Sequence, residues 1–149
     1  MTLDSGGIEQ QAGERGYELA VERGARTVYE PVVVEGDRGK WKVAGIEAYG
    51  DTIHTLIENP DSMWPPPDFR LRGDSIAVPI GLDHIDHVVA NVARGEMDDW
   101  VEFYERVFGF VLLRHFDDEA ISTEYTALMS KVVWDGSGVI RLPINEPAT

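Results

Sequence analysis

Residues 95–112 read GEMDDWVEFYERVFGFVL, and the apolar positions in this stretch recur at the spacing of one face of an α-helix. The apolar residues of that face are Met97, Trp100, Val101, Tyr104, Val107 and Phe108. Asp98 and Asp99 at the start and Arg106 near the end complement the helix dipole. Gly109 can adopt the left-handed conformation that commonly ends a helix. The stretch therefore predicts an amphipathic helix over residues 97–108.

The segments around this helix are rich in residues that favour β-strands. Before the helix, alternation predicts a strand over residues 83–92, with Ile85, His87, Val89 and Asn91 on one face. The strands predicted after the helix lie at residues 110–116, 123–134 and 139–144. Residues 135–138, Asp-Gly-Ser-Gly, are typical of a hairpin connection because glycine supplies positive φ. The predicted order is strand, helix and three strands.

A similar order occurs earlier in the chain. A helix is predicted over residues 10–23 with Tyr17, Ala20 and Val21 facing inward, and its Glu-Arg pair lies 83 residues before the Glu-Arg pair of the later helix. The strands predicted after it lie at residues 27–35, 40–49 and 52–58. Residues 1–7 are too short, polar and glycine-rich to form a strand before this helix. The three prolines at 65–67 indicate a linker over residues 60–81.

Composition excludes several classes of function. The chain carries 13 Lys and Arg against 27 Asp and Glu, so its net charge of −14 repels nucleic acids and anionic membranes. The absence of Cys excludes disulfides, thiolate metal sites and thiol nucleophiles, which leaves His, Asp and Glu as ligands. The N-terminus lacks the basic and apolar regions of a signal peptide, and long apolar runs are missing. We therefore expect a soluble, cytoplasmic protein.

Four motifs in the second half occur in one order: GLDHIDHVVANV at 81–92, GEMDDW at 95–100, ISTEYTALMSKVV at 121–133 and LPINEP at 142–147. Together they resemble the 4-hydroxyphenylpyruvate dioxygenase family, which has the vicinal-oxygen-chelate (glyoxalase-like) fold. In the first half, ERGAR at 22–26, Glu-Pro at 30–31 and AYGDT at 48–52 resemble the end of the family's N-terminal half. The resemblance covers about residues 17–147.

The resemblance implies an α+β fold built of two βαβββ modules, the first of which lacks its leading strand. Residues 1–59 correspond to the end of the N-terminal-half module, residues 60–81 to a linker and residues 82–149 to the first βαβββ module of the catalytic half. Because the family's chains are longer, we expect this sequence to be an internal fragment of such an enzyme and to be inactive alone.

The family's reaction converts 4-hydroxyphenylpyruvate, a small aromatic 2-oxo acid, and O₂ to homogentisate and CO₂ in tyrosine catabolism. It uses Fe(II), which needs two imidazoles and one carboxylate on one face of the metal. The resemblance places the first of these ligands at His87 and the other two outside this chain. It also implies that Thr126, Pro143 and Asn145 bind the substrate, although Thr126 stands where the family usually has Ser.

Other interpretations of these residues are weaker. His84 lies three residues before His87, so it belongs on the opposite face of a strand. His54 and Glu47 are conceivable partners of His87 in a triad across the two halves, but the family uses no such ligands. The acidic run at 117–119 is expected to be a solvated loop. Helical spacing predicts core packing, rather than a substrate cage, for Trp100, Phe103, Tyr104, Phe108 and Phe110.

Three alternative functions remain open: a 4-hydroxymandelate synthase fragment, a small stand-alone vicinal-oxygen-chelate binding protein, and a fragment without activity of its own. A module without its usual partner exposes one sheet face, so we also expect the chain to form a homo-oligomer, most simply a dimer.

Overall fold

The computed structural model describes residues 13–36, 39–58, 69, 81, 85–113, 121–122 and 127–148. Its helices are α1 (Glu14–Glu22) and α2 (Met97–Phe108). Its strands are β1 (Thr27–Gly36), β2 (Gly39–Glu47), β3 (Ile53–Glu58), β4 (Ala90–Asn91), β5 (Val111–Leu112), β6 (Ile121–Ser122), β7 (Ala127–Trp134) and β8 (Arg141–Pro147). Within these residues, no helix has the length and apolar character needed to cross a membrane. Residues 1–7 and nearly all of the predicted linker lie outside the described part.

The later unit follows the predicted order of strand, helix and three strands. Its sheet has the order β4-β8-β7-β5, with the short β6 paired to β7. The β7–β8 and β5–β7 pairs are antiparallel, whereas β4 runs parallel to β8. Gly136 and Gly138 take positive φ in the connection from β7 to β8, as the sequence predicted. The α+β fold class and the helix over residues 97–108 are confirmed.

The strand predicted over residues 83–92 is wrong in most of its described part. Only Ala90–Asn91 forms a strand, and residues 85–89 belong to no strand. The parallel register pairs Ala90 with Ile144 and Asn91 with Asn145, and residues 85–89 do not extend this pairing along the earlier residues of β8. Ile85 and Val88 are 79% and 60% exposed. Alternation was present in this segment, but a strand also needs a hydrogen-bonded neighbour.

The earlier unit contains the predicted helix and three strands. Strand β2 lies between β1 and β3 in an antiparallel sheet. Helix α1 begins at Glu14, and the residues predicted before Gly13 lie outside the described part. Val21, predicted to face inward, is 39% exposed, which corrects that expectation. The buried residues of α1 are Gly16 and Ala20, which lie one helical turn apart and therefore define the inward face.

One hydrophobic core joins the two units. The buried cluster includes Ala20, Ile46 and Leu56 from the earlier unit and Tyr104, Val107, Val133 and Ile144 from the later one. The ends of the two helices also exchange side chains. Arg23 Nη1 donates to the carbonyl oxygen of Val107 at 3.1 Å, and Arg106 Nε donates to the carbonyl oxygen of Arg23 at 3.0 Å. We call this pair of contacts the arginine exchange.

Candidate functional site

The candidate site lies on the face of the β4-β8-β7-β5 sheet that turns away from α2, which we call the open face. Successive side chains of a strand point to opposite faces. On β8, Ile144 is buried in the core that contains α2, so Pro143 and Asn145 lie on the open face. The two predicted substrate-binding residues therefore share a face. Their role in binding stays a prediction.

Polar residues line up across three strands on the open face. Asn145 is opposite Asn91 of β4 and Ser130 of β7. Its backbone carbonyl accepts a hydrogen bond from the Val92 N–H at 2.9 Å. The side-chain oxygen Oδ1 is buried and has no hydrogen-bond partner among the described residues. Since buried polar atoms normally have partners, this oxygen has capacity to accept a hydrogen bond from a ligand.

His87 lies three residues before β4, in the segment that forms no strand, so its predicted place on a strand with Ile85 and Val89 is wrong. The side chain is about half exposed. Its Nδ1 lies 2.7 Å from Asp86 Oδ2, which makes the ring N–H a donor to the carboxylate. Arg141 Nη1 lies 3.8 Å from the other oxygen of Asp86.

This contact suits a metal ligand. A metal-binding histidine commonly donates one ring N–H to a carboxylate, which fixes the tautomer and leaves the other nitrogen for the metal. His87 therefore fits one ligand position. Across the described residues, no group of three or more His, Cys, Asp or Glu comes together in a way that would hold a metal ion.

His54 and Glu47, the conceivable partners of His87 in a triad, have other contacts. The Nε2 of His54 lies 2.7 Å from the hydroxyl of Tyr104, and its ring packs edge-on against Phe108. Burial lowers the pKa of His54 below its ordinary value and raises the pKa of Tyr104 far above its ordinary value. Glu47 forms an ion pair with Arg26 at 2.6 Å. His54 is therefore a neutral group in the junction between the units.

The aromatic residues of the later unit form core, as predicted. Phe103, Tyr104, Phe108 and Phe110 are buried, and Trp100 packs against them. Their rings contact one another with centroids 5.1–6.1 Å apart. A shallow depression beside α2 contains none of the predicted site residues. It is lined by Glu96, Asp99, Trp100, Phe103 and Arg106.

Glu146 is a residue that the sequence reasoning did not single out. It is 6% exposed, and its Oε2 accepts hydrogen bonds from the backbone N–H groups of Gly95 at 2.8 Å and Met97 at 3.0 Å. Its spacing could have indicated burial, because Glu146 lies two residues after the buried Ile144 and therefore on the same face of β8. Thr126, His84 and the acidic run at 117–119 lie outside the described residues.

Known proteins match nearly the whole chain. Residues 82–149 match the family described as Glyoxalase/Bleomycin resistance protein/Dioxygenase superfamily. The chain is 39% identical over 139 residues to a 4-hydroxyphenylpyruvate dioxygenase of Dictyostelium discoideum, covering 89% of this chain and 38% of that protein. It is 39% identical over 140 residues to the enzyme of the same name from Aspergillus fumigatus, covering 89% of this chain and 34% of that protein.

Among solved structures, a mutant of 4-hydroxymandelate synthase from Streptomyces coelicolor superimposes with a TM-score of 0.65 at 24% identity. The match covers 89% of this chain and 37% of that protein, and it shows the shared fold. This chain spans little more than a third of the length of the curated relatives that it matches. Over about nine tenths of its length the chain is therefore similar to 4-hydroxyphenylpyruvate dioxygenases, of which it spans about a third, and its later unit matches the glyoxalase/dioxygenase superfamily.

Proposed function

We propose that the chain is part of an Fe(II)-dependent dioxygenase that converts 4-hydroxyphenylpyruvate and O₂ to homogentisate and CO₂. The observation that carries the proposal is sequence identity. Over 89% of its length, the chain is 39% identical to enzymes named 4-hydroxyphenylpyruvate dioxygenase. The substrate class is then a small aromatic 2-oxo acid. The reaction belongs to tyrosine catabolism.

His87 is the proposed metal ligand. Its ring N–H donates to Asp86, so the Nε2 lone pair is the one that would hold the iron. A bound Fe(II) would supply coordination positions for the oxo acid and O₂. The resemblance to the family supports the proposal that the remaining two ligands come from outside these 149 residues, and the described part of the chain brings no set of three together.

Asn145, Pro143 and Thr126 are the proposed substrate contacts. The Oδ1 of Asn145 is buried and has no hydrogen-bond partner in the described part of the chain, which supports a hydrogen bond to a ligand donor such as the phenol hydroxyl of the substrate. Pro143 lies on the same face of β8 and offers an apolar surface for an aromatic ring. Thr126, which lies outside the described residues, is proposed to offer its hydroxyl to the substrate.

The test is His87→Ala in a longer protein that contains these residues and turns over 4-hydroxyphenylpyruvate. We expect the variant to lose bound iron and substrate-dependent O₂ uptake, because a facial triad needs three protein ligands. His54→Gln serves as the control, since that ring contacts Tyr104 and should not affect iron content. Retention of stoichiometric iron by the His87→Ala protein would refute the assignment. A product of 4-hydroxymandelate instead of homogentisate would assign the sister activity.

The 149-residue chain provides a second test. We expect weak Fe(II) binding and no O₂ uptake with 4-hydroxyphenylpyruvate. Stoichiometric Fe(II) together with substrate-dependent O₂ consumption that His87→Ala abolishes would show that this sequence, or an oligomer of it, completes the ligand set. The proposal that the other ligands lie elsewhere would then be wrong.

A further inference from the structure

Glu146 is a buried charge in an unusual position, and its surroundings suggest what it does. It belongs to β8, the strand that carries Pro143 and Asn145, and its side chain points to the face opposite theirs. A buried carboxylate needs strong hydrogen-bond donors to compensate for its lost hydration. Glu146 obtains them from the backbone of the β4–α2 connection.

The contact replaces a local helix cap. The first N–H groups of a helix have no acceptor within the helix. The residue at the N-cap position of α2, Glu96, makes no side-chain cap hydrogen bond. Instead, Glu146 Oε2 accepts from Met97 and from Gly95, which has a φ of +82°. A carboxylate at a helix N-terminus is also favoured by the helix dipole. The start of α2 is therefore held by a side chain from β8.

The same stretch of β8 also holds β4. The Asn145 carbonyl accepts from the Val92 N–H, and Ala90 pairs with Ile144. Glu146 and Asn145 thus bind the two ends of one short connection, one through its side chain and the other through its backbone. Because neighbouring residues of a strand face opposite ways, a fixed Glu146 side chain fixes the direction of the Asn145 side chain.

We propose that Glu146 is a positioning residue: by holding the start of α2 against β8, it sets the orientation of Asn145 on the open face. The functional meaning of this orientation rests on the proposed function, in which Asn145 contacts the substrate. The positioning itself does not depend on that function and can be measured without it.

The test uses isotope-labelled 149-residue chains with Glu146→Ala, Glu146→Asp and Glu146→Gln. Gln retains an oxygen that accepts from both N–H groups, whereas Asp is one methylene too short to reach them. We expect amide hydrogen exchange of Gly95 and Met97 to be roughly 10-fold faster or more in the Ala and Asp variants. The side-chain amide resonance of Asn145 should shift in both variants and return close to its original position with Gln.

Asp98→Asn is the matched control. Asp98 also anchors the first turn of α2, but its ion pair is with Lys131 of β7, at 2.5 Å. This variant should leave the Asn145 resonance in place. The proposal is overturned if Asp98→Asn shifts Asn145 as much as Glu146→Asp does, or if Glu146→Asp leaves Asn145 unchanged. If Glu146→Ala does not fold, the Asp and Gln variants decide the question.

A second measurement separates this inference from the proposed function. In a longer protein that turns over 4-hydroxyphenylpyruvate, Glu146→Asp should raise KM more than it lowers kcat, and Glu146→Gln should restore KM. A wild-type protein that neither binds nor converts this substrate would contradict the proposed function, whereas the resonance of Asn145 would still decide whether Glu146 positions it.

Discussion

The partly buried ring of His54 is expected to make the stability of the fold sensitive to acid. Burial lowers its pKa in the folded protein, so folded His54 stays neutral where the unfolded chain already takes up a proton. Stability from this residue is therefore unaffected above the usual histidine pKa of about 6.5 and decreases as the pH falls below it. We expect the urea midpoint to fall between pH 7 and pH 5 in part through His54.

The comparison that tests this is His54→Gln, which keeps a polar group near the Tyr104 hydroxyl but does not titrate in this range. The variant should lose part of the wild-type decrease in the urea midpoint on acidification. An identical pH dependence in both proteins would show that His54 does not contribute.

Gly45 is required by a close approach between neighbouring strands. A Cβ at this position would clash with Cε1 of the Tyr29 ring, whose hydroxyl is 3.1 Å from the Thr55 hydroxyl oxygen. The ring therefore crosses β2 directly over the glycine. We expect Gly45→Ala to lower the free energy of unfolding by about 1–3 kcal/mol, as overpacking does. Urea unfolding measures this change.

A double-mutant cycle identifies the cause of that loss. Removing the ring with Tyr29→Ala should make the added effect of Gly45→Ala much smaller, because the two changes act on one contact. Additive effects of the two substitutions would contradict the explanation.

At the scale of single residues, the predictions relied on the alternation of side chains between the two faces of a strand. This alternation placed Pro143 and Asn145 on one face correctly, because β8 is hydrogen-bonded to β7 and is therefore a strand. It misplaced His87, because residues 85–89 have no strand partner in the described part. Glu146 was missed because a glutamate in a strand usually faces solvent, and its backbone donors at the start of α2 and just before it are about fifty residues away along the chain.

At the scale of elements, local patterns predicted α2 well. Its apolar stripe, acidic start and C-terminal Gly109 all lie within one stretch, and Gly109 adopts a φ of +74°. Strand β4 depends instead on β8, which lies more than fifty residues later. Patterns within one segment are sufficient for a helix, whereas strand length is set by a distant neighbour.

The ends of α1 and α2 are predicted to stabilise each other. Replacing Arg23 or Arg106 by Ala removes one donor from the arginine exchange, and each change should lower the free energy of unfolding by about 0.5–1.5 kcal/mol. Arg15→Ala is the control on the same helix, because its exposed ion pair with Glu18 should contribute about 0.5 kcal/mol or less. Equal losses for all three variants, measured by urea unfolding, would contradict a special role for the exchange.

At the scale of the whole molecule, the repeated order of helix and three strands was visible in the sequence, but the shared core was not. The spacing of apolar residues predicts which side chains are buried, but it does not predict which side chains they contact. His54 illustrates this limit, because its partner Tyr104 lies fifty residues away in the other unit.

The open face is the surface through which we expect copies of the chain to associate. It carries the partly exposed apolar residues Leu128 and Val111, at 39% and 52% exposure. Sedimentation velocity at micromolar concentration should show a dimer that Leu128→Lys shifts toward monomer. Val139→Lys changes an equally apolar residue in the β7–β8 turn and should have no effect. A wild-type protein that sediments as a monomer at all concentrations would contradict this expectation.

The arginine exchange resembles a contact between identical subunits related by a two-fold axis, because each helix end receives a guanidinium from the other. The symmetry is approximate, since the exact counterpart of the bond from Arg23 to Val107 would join Arg106 to Gly24 rather than to Arg23. Placing two such units in one chain makes their encounter intramolecular, with an effective concentration set by the connecting segment. Contact between the units is therefore independent of protein concentration, whereas the association expected through the open face would be lost on dilution.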